Sequence, residues 1–247
     1  MIDYKLKIIP IISIIIFTLL GCNNSNGNGS GKDYSQKGYA EESIPVNVTE
    51  AIASSNSILT QDLKDSISYM YNEEKLAKDI YLNIYKTQKV EQLYNIASKS
   101  EIKHEEAVNE LAIKYDLNIT LYPDTESPYD KNTIESYGNG EYPIIAIQEL
   151  YDMLYDKGIE SNKDALEVGC MVEVTDINDL DKYISQAISS NATDVLEVFN
   201  FLREGSYKHY WAFNDGLEKM GISDGCCSLG SDYCYLEYPQ NSSKKGK

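Results

Sequence analysis

The sequence predicts an all-α protein: a four-helix bundle with a long crossover containing a short extra helix. Three observations carry this. Apolar residues recur at helical spacing from about residue 60 to 221. Every proline of that stretch lies between Tyr122 and Ile144, so the long segments on either side are uninterrupted. No alternating strand pattern, internal repeat or phosphate-binding glycine loop competes with the helical reading.

The spacing predicts long helices over 60–87, 90–116, 162–188 and 192–220, and a shorter one near 144–157. Gly205 and Gly216 weaken the fourth long helix. Projection at about 100° per residue puts Ile67, Met70, Tyr71, Ala77, Tyr81 and Tyr85 on the inward face of the first, with Glu74 among them. The second turns Ala97, Val108, Leu111 and Tyr115 inward, with Glu101 and His104 in the middle. The third turns in Leu166, Cys170, Ile177, Leu180 and Ile184, with Glu173 central and Asp176 towards one edge. The fourth contributes Val195, Phe199, Leu202, Phe213 and Leu217, with Ser206 and His209 in the stripe. Glu197 and Glu204 project outward and Glu167 to a flank, all three in solvent.

A carboxylate in an apolar core is costly unless it is paired, protonated or bound to a cation. Lys78, the basic residue close to these stripes, can pair with one carboxylate but cannot neutralise four. Divalent cations resolve the imbalance. Both histidines of the chain fall on inward faces, one in Glu101-Ile102-Lys103-His104. Glu and His at i and i+3 share a helix face and reach a common metal. Carboxylate oxygen with imidazole nitrogen suits iron or manganese better than structural zinc, although zinc remains admissible.

These residues carry a resemblance. Met70-Tyr-Asn-Glu-Glu-Lys-Leu-Ala-Lys-Asp-Ile-Tyr81 resembles the first metal helix of rubrerythrin-type ferritin-like proteins, through Glu74, Ala77 and Tyr81; Glu101 with His104 resembles the second. Two antiparallel pairs joined by one long crossover is the ferritin-like topology. Over about 60–220 the chain more closely resembles the ferritin-like family catalogued as domain of unknown function 2202. That likeness rests on Glu73-Glu74-Lys75-Leu76-Ala77, Ser100-Glu101 with His104, Asp164-Ala165-Leu166-Glu167-Val168-Gly169, Glu173 with Asp176-Ile177, and Gly205-Ser206 with His209. It implies a metal site with Glu74, Glu101, His104, Glu173 and His209 as ligands. Rubrerythrins carry a second Glu-x-x-His on the fourth helix, where this chain has Ser206. Asp176, one turn after Glu173, is the carboxylate available in its place.

Outside the bundle, Lys5 and Lys7 precede an apolar run from Ile8 to Leu20, a secretory signal pattern too short for a comfortable membrane span. Leu19-Leu20-Gly21-Cys22 resembles the lipobox of bacterial lipoproteins, which implies cleavage before Cys22 and a lipid on its thiol. The expected organisation is a signal peptide over 1–21, a flexible tether over 22–50, the helical domain over 51–225, and a Cys-containing extension and polar tail over 226–247. Without Cys22, the exported chain retains Cys170, Cys226, Cys227 and Cys234, enough for two disulfides of undetermined pairing. Cys170 is equally consistent with a buried free thiol.

A formal net charge of -17 with no basic patch argues against a nucleic-acid partner. The expected associations are the membrane, through Cys22, and a second copy of the chain as a homodimer; no electron donor is legible. The leading functional expectation is an exported, lipid-anchored protein whose two iron ions serve iron oxidation or oxygen and peroxide reduction. The alternatives are a non-catalytic metal-binding or structural surface module, and a metal-free bundle.

Overall fold

The computed structural model describes residues 43–123, 125 and 128–240; the signal segment, Cys22 and most of the expected tether lie outside them. The described residues are all helical, with no strand among them. In order they form α1 (Val46–Ala53), α2 (Gln61–Thr87), α3 (Glu91–Ile96), a π turn (Ala97–Glu101), α4 (Ile102–Tyr115), α5 (Lys131–Ser136), α6 (Ile145–Gly158), α7 (Asn162–Ser189) and α8 (Thr193–Lys219). Two short 3-10 turns, Gly225–Leu229 and Ser231–Tyr233, follow. No described helix is long and apolar enough to cross a membrane.

Local chemistry sets the helix ends. The Thr60 side chain accepts from the Leu63 amide, and that of Ser161 from the Asp164 amide, so α2 and α7 start on conventional caps. α4 stops where Asp116 turns left-handed at φ 53°, which lets Leu117 N–H close back on the Ala112 carbonyl. The expected second helix is present as an unbroken helical stretch over 91–115, with a π turn set into it between α3 and α4. Helix α1 begins inside the segment assigned to the tether, and its Val48 is buried in the core beneath α4 and α8.

Contacts between side chains fix the helix directions. Tyr85 meets Tyr94 and Asn72 meets Ile119, so α2 runs antiparallel to the 91–115 stretch. Tyr81 meets Glu173 and Tyr69 meets Tyr183, making α2 and α7 antiparallel as well. Ser206 meets Asp176 and Arg203 meets Asp181, so α8 returns along α7. It follows that α4 and α7 run the same way, and residues 116–161 carry the chain back between them.

That crossover holds α5 as well as the expected α6, and a buried ion pair pins it to α2. Lys75 donates to Asp79 Oδ2 (2.7 Å) and to the Gly138 carbonyl (2.8 Å), while Asp79 accepts from the Gly140 amide (3.0 Å) and the Tyr142 hydroxyl (3.2 Å). Glu167 corrects the outward expectation: it is buried and paired with Lys157 and Lys163. Lys78 pairs with Glu105 at the rim and lies 4.0 Å from Asp79 Oδ1, rather than pairing with a carboxylate of the inward stripes.

The apolar core falls into two clusters. One contains Leu76, Tyr81, Ile96 and Phe213; the other contains Ile67, Tyr71, Val108 and Leu202. On α2, on the 91–115 stretch and on α8, the polar residues Glu74, Ser100, Glu101, His104, Ser206 and His209 fall in sequence between the two. A polar layer thus interrupts a core that would otherwise be continuous.

Candidate metal centre

Each long helical segment brings at least one polar side chain to this layer. Glu74 comes from α2, Glu101 from the π turn, His104 from α4, Glu173 and Asp176 from α7, and His209 from α8. All six are buried. Glu101, His104 and His209 offer ligand atoms that all lie within 4.8 Å of one another.

Glu101 sits between the imidazoles. Its Oε2 is 2.9 Å from His104 Nδ1, and its Oε1 is 2.9 Å from His209 Nδ1. On the outer sides, Glu74 Oε2 lies 3.3 Å from His104 Nδ1, and Glu173 Oε2 lies 3.5 Å from His209 Nδ1. These contacts are close but misaligned, because neither Nδ1 has a partner in hydrogen-bond geometry. Close but misaligned nitrogen–oxygen contacts of this kind leave these atoms available to a shared cation.

Outer partners hold the ring and carboxylate orientations. His209 Nε2 is hydrogen-bonded to Ser100 Oγ (2.8 Å), which leaves Nδ1 facing the carboxylates. The Tyr81 hydroxyl donates to Glu173 Oε1, and the Ser206 hydroxyl donates to Asp176 Oδ2. Asp176 Oδ1 and Glu74 Oε1 remain buried without partners. His104 packs its edge against Phe201, and its Nε2 faces the helix backbone at Gly205.

Charge follows the same logic. Burial raises Glu74 to about 7 despite the imidazole beside it. For Glu101, burial is outweighed by His209 and His104, which hold the carboxylate below its usual range. Burial opposes the charge on His209, but Glu101 and Glu173 raise it to about 10. Burial drives Asp176 well above its usual range, and the negative neighbours, Glu74 first, add to this. Glu74, Glu101, Glu173 and Asp176 outnumber the two imidazoles even when both are protonated. Two divalent cations with neutral imidazoles would balance the four carboxylates. The residues present fit such a group in number, chemistry and unpartnered atoms.

The structure brings Glu101, His104 and His209 into one cluster and sets Glu74 and Glu173 against its imidazoles, five of the six candidates read from the sequence. Asp176 comes in through the very serine that replaces the expected carboxylate. Sequence reasoning named Ser100 and Gly205 only as parts of the family likeness and missed the role of each; the position of Ser100 one residue before Glu101 was the available signal. The structure also joins Cys170 to Cys226 and Cys227 to Cys234. Adjacent Cys226 and Cys227 thus bond elsewhere, and Cys170 is not a free thiol.

These features define an all-helical protein with a buried carboxylate–imidazole cluster. Residues 63–232 match the family described as "Uncharacterized protein domain (DUF2202)", and the chain belongs to that family. It is 35% identical over 163 residues to "Uncharacterized protein MJ0754" of Methanocaldococcus jannaschii, covering 66% of this chain and 79% of the relative. The crystal structure of hypothetical protein MJ0754 superimposes with a TM-score of 0.58 at 32% identity, over 68% of this chain and 86% of the other.

Proposed function

We propose that this chain is a ferritin-like, exported lipoprotein whose core holds two divalent metal ions, iron in the first instance, for oxidation of ferrous iron or reduction of oxygen or peroxide. The observation that carries this reading is Glu101, with one oxygen towards each of two imidazole Nδ1 atoms that have no hydrogen-bond partner. Helix directions support the ferritin-like part, since α2 and α4 form one antiparallel pair, α7 and α8 another, and a long crossover joins them. Two disulfides support export, because such bonds persist in oxidising compartments. The anchor rests on the residues leading to Cys22.

Glu74, Glu101 and His104 would hold one ion; Glu101, Glu173 and His209 the other; and Asp176 supplies the remaining carboxylate. Bound iron supplies one-electron redox chemistry. The protein's part is orientation and exclusion of water. Ser100 fixes the His209 ring, Tyr81 holds Glu173, and the apolar clusters on either side keep solvent out. The test is metal analysis of protein purified with and without air, followed by anaerobic ferrous loading and exposure to oxygen or peroxide. Two irons per chain and turnover support the reading. Protein that binds no iron, manganese or zinc under either condition sinks it.

A further inference from the structure

Glu73 is a buried carboxylate that neither the ligand set nor the crossover clamp uses. It is 5% exposed, and both of its oxygens are buried without a hydrogen-bond partner. The charged groups that act on it are all carboxylates: Asp179 and Asp176 of α7, and Glu74 beside it on α2. Thr175, on the same stretch, gives its hydroxyl to the Met171 carbonyl. The Lys182 ammonium acts on Asp179, but lies over the Tyr183 ring. Nothing described gives Glu73 a cation, and it can bond to the neighbouring Asp179 carboxyl only by sharing a proton with it.

The side chain lines a small niche of about 10 Å³ with Asp176, Thr175, Leu76, Leu150 and Val172. That is room for a single water or ion. Asp179 is only partly buried, while Asp176 reaches inward to Ser206. Asp176 and Asp179, one turn apart on α7, thus both act on Glu73, the first reaching the cage and the second the rim.

We propose that Glu73, with Asp176 and Asp179, is an outer carboxylate site that takes one divalent cation from solvent and passes it to the cage. An ion that sheds most of its water on entering the niche gives Glu73 the positive partner it lacks, and each inward step exchanges one carboxylate for another. No electron or proton transfer is needed. The proposal rests on the reading that the cage binds metal.

Cobalt(II) added to the full-length, metal-free protein tests it, through the rise of the visible absorption of the loaded cage in stopped flow. Glu73→Gln and Asp179→Asn are expected to slow loading at least tenfold, with the final cobalt content and spectrum unchanged. Asp179→Asn, at the partly exposed end, keeps the test available if the buried substitution impairs folding. Wild-type rates in both variants would overturn the outer site and leave the cage reading intact. A lower final cobalt content at an unchanged initial rate would also overturn it, making these residues part of the cage. A wild-type protein that takes up no cobalt would bring down both readings.

Discussion

His104 occupies the space that a side chain at position 205 would need: a Cβ built on Gly205 would lie 2.3 Å from the ring atoms Cε1 and Nε2. A glycine inside a helix ordinarily costs about 1 kcal/mol relative to alanine. Here it is the residue that lets α8 approach the imidazole. Gly205→Ala, stabilising in an exposed helix, is expected to destabilise this protein by about 2 kcal/mol through overpacking. It should also lower metal content by displacing His104. Denaturant unfolding and metal analysis of the same preparation check both.

Metal loading should release protons. In the metal-free protein, carboxylate neighbours hold His209 near 10 and raise His104 well above its ordinary value, so both rings are protonated at neutral pH. Each ring must lose its Nδ1 proton to act as a ligand, so affinity rises with pH and loading acidifies the solution. At least two protons per chain are expected at pH 7, read by an indicator dye in weak buffer. No proton release during confirmed loading would contradict the ligand assignment.

Asp194 offers a separate pH test, remote from the cage. It is buried, accepts from Ser57 Oγ (2.6 Å), and is paired with Lys114 and Tyr115. Burial opposes its charge, but these partners prevail and lower its carboxyl from 3.8 to about 2. A depressed folded value gives stability that is complete above the unfolded pKa and lost as pH falls through the folded one. Asp194→Asn should therefore cost about 3 kcal/mol at pH 7. The gap from wild type should narrow between about pH 4 and pH 2, as followed by denaturant midpoints.

The two disulfides should differ in worth. Cys170–Cys226 spans 56 residues and Cys227–Cys234 spans 7. On the chain-entropy account the longer loop contributes about 4 kcal/mol and the shorter about 2.5 kcal/mol. Serine replacement of each pair, followed by thermal unfolding, should reproduce that order.

The long helices were legible because apolar spacing survives in every one of them, and Glu74, Glu101, His104, Glu173 and His209 because they interrupt it on the inward face. Lys75 and Asp79 were not, since their burial comes from the crossover loop folding back over α2, which local spacing does not encode. Glu167 was placed in solvent for a similar reason: its partner Lys157 arrives from α6. Helix α5 covers only Lys131–Ser136, too short for a periodic signal. Gly205 was visible as a weakness in its helix, but its purpose requires the position of His104 on another one.

The cage is sensitive to length as well as to composition, and the π turn at Ala97–Glu101 decides where. A π turn holds one residue more than the helix around it, and one helical residue corresponds to about 100° of rotation. Removing one residue inside the turn would let it relax to ordinary helix and leave α4 nearly in its present orientation, because the turn already absorbs an extra residue. Removing one between His104 and Val108 would instead rotate Glu101 and His104 by about 100° against the apolar residues beyond them. Every side chain of the cluster would remain, yet the two would leave the core face while Val108 and Leu111 kept their places. The spacing between such a residue and its apolar anchor thus counts as much as its identity, and the π turn is where a change of one residue is absorbed.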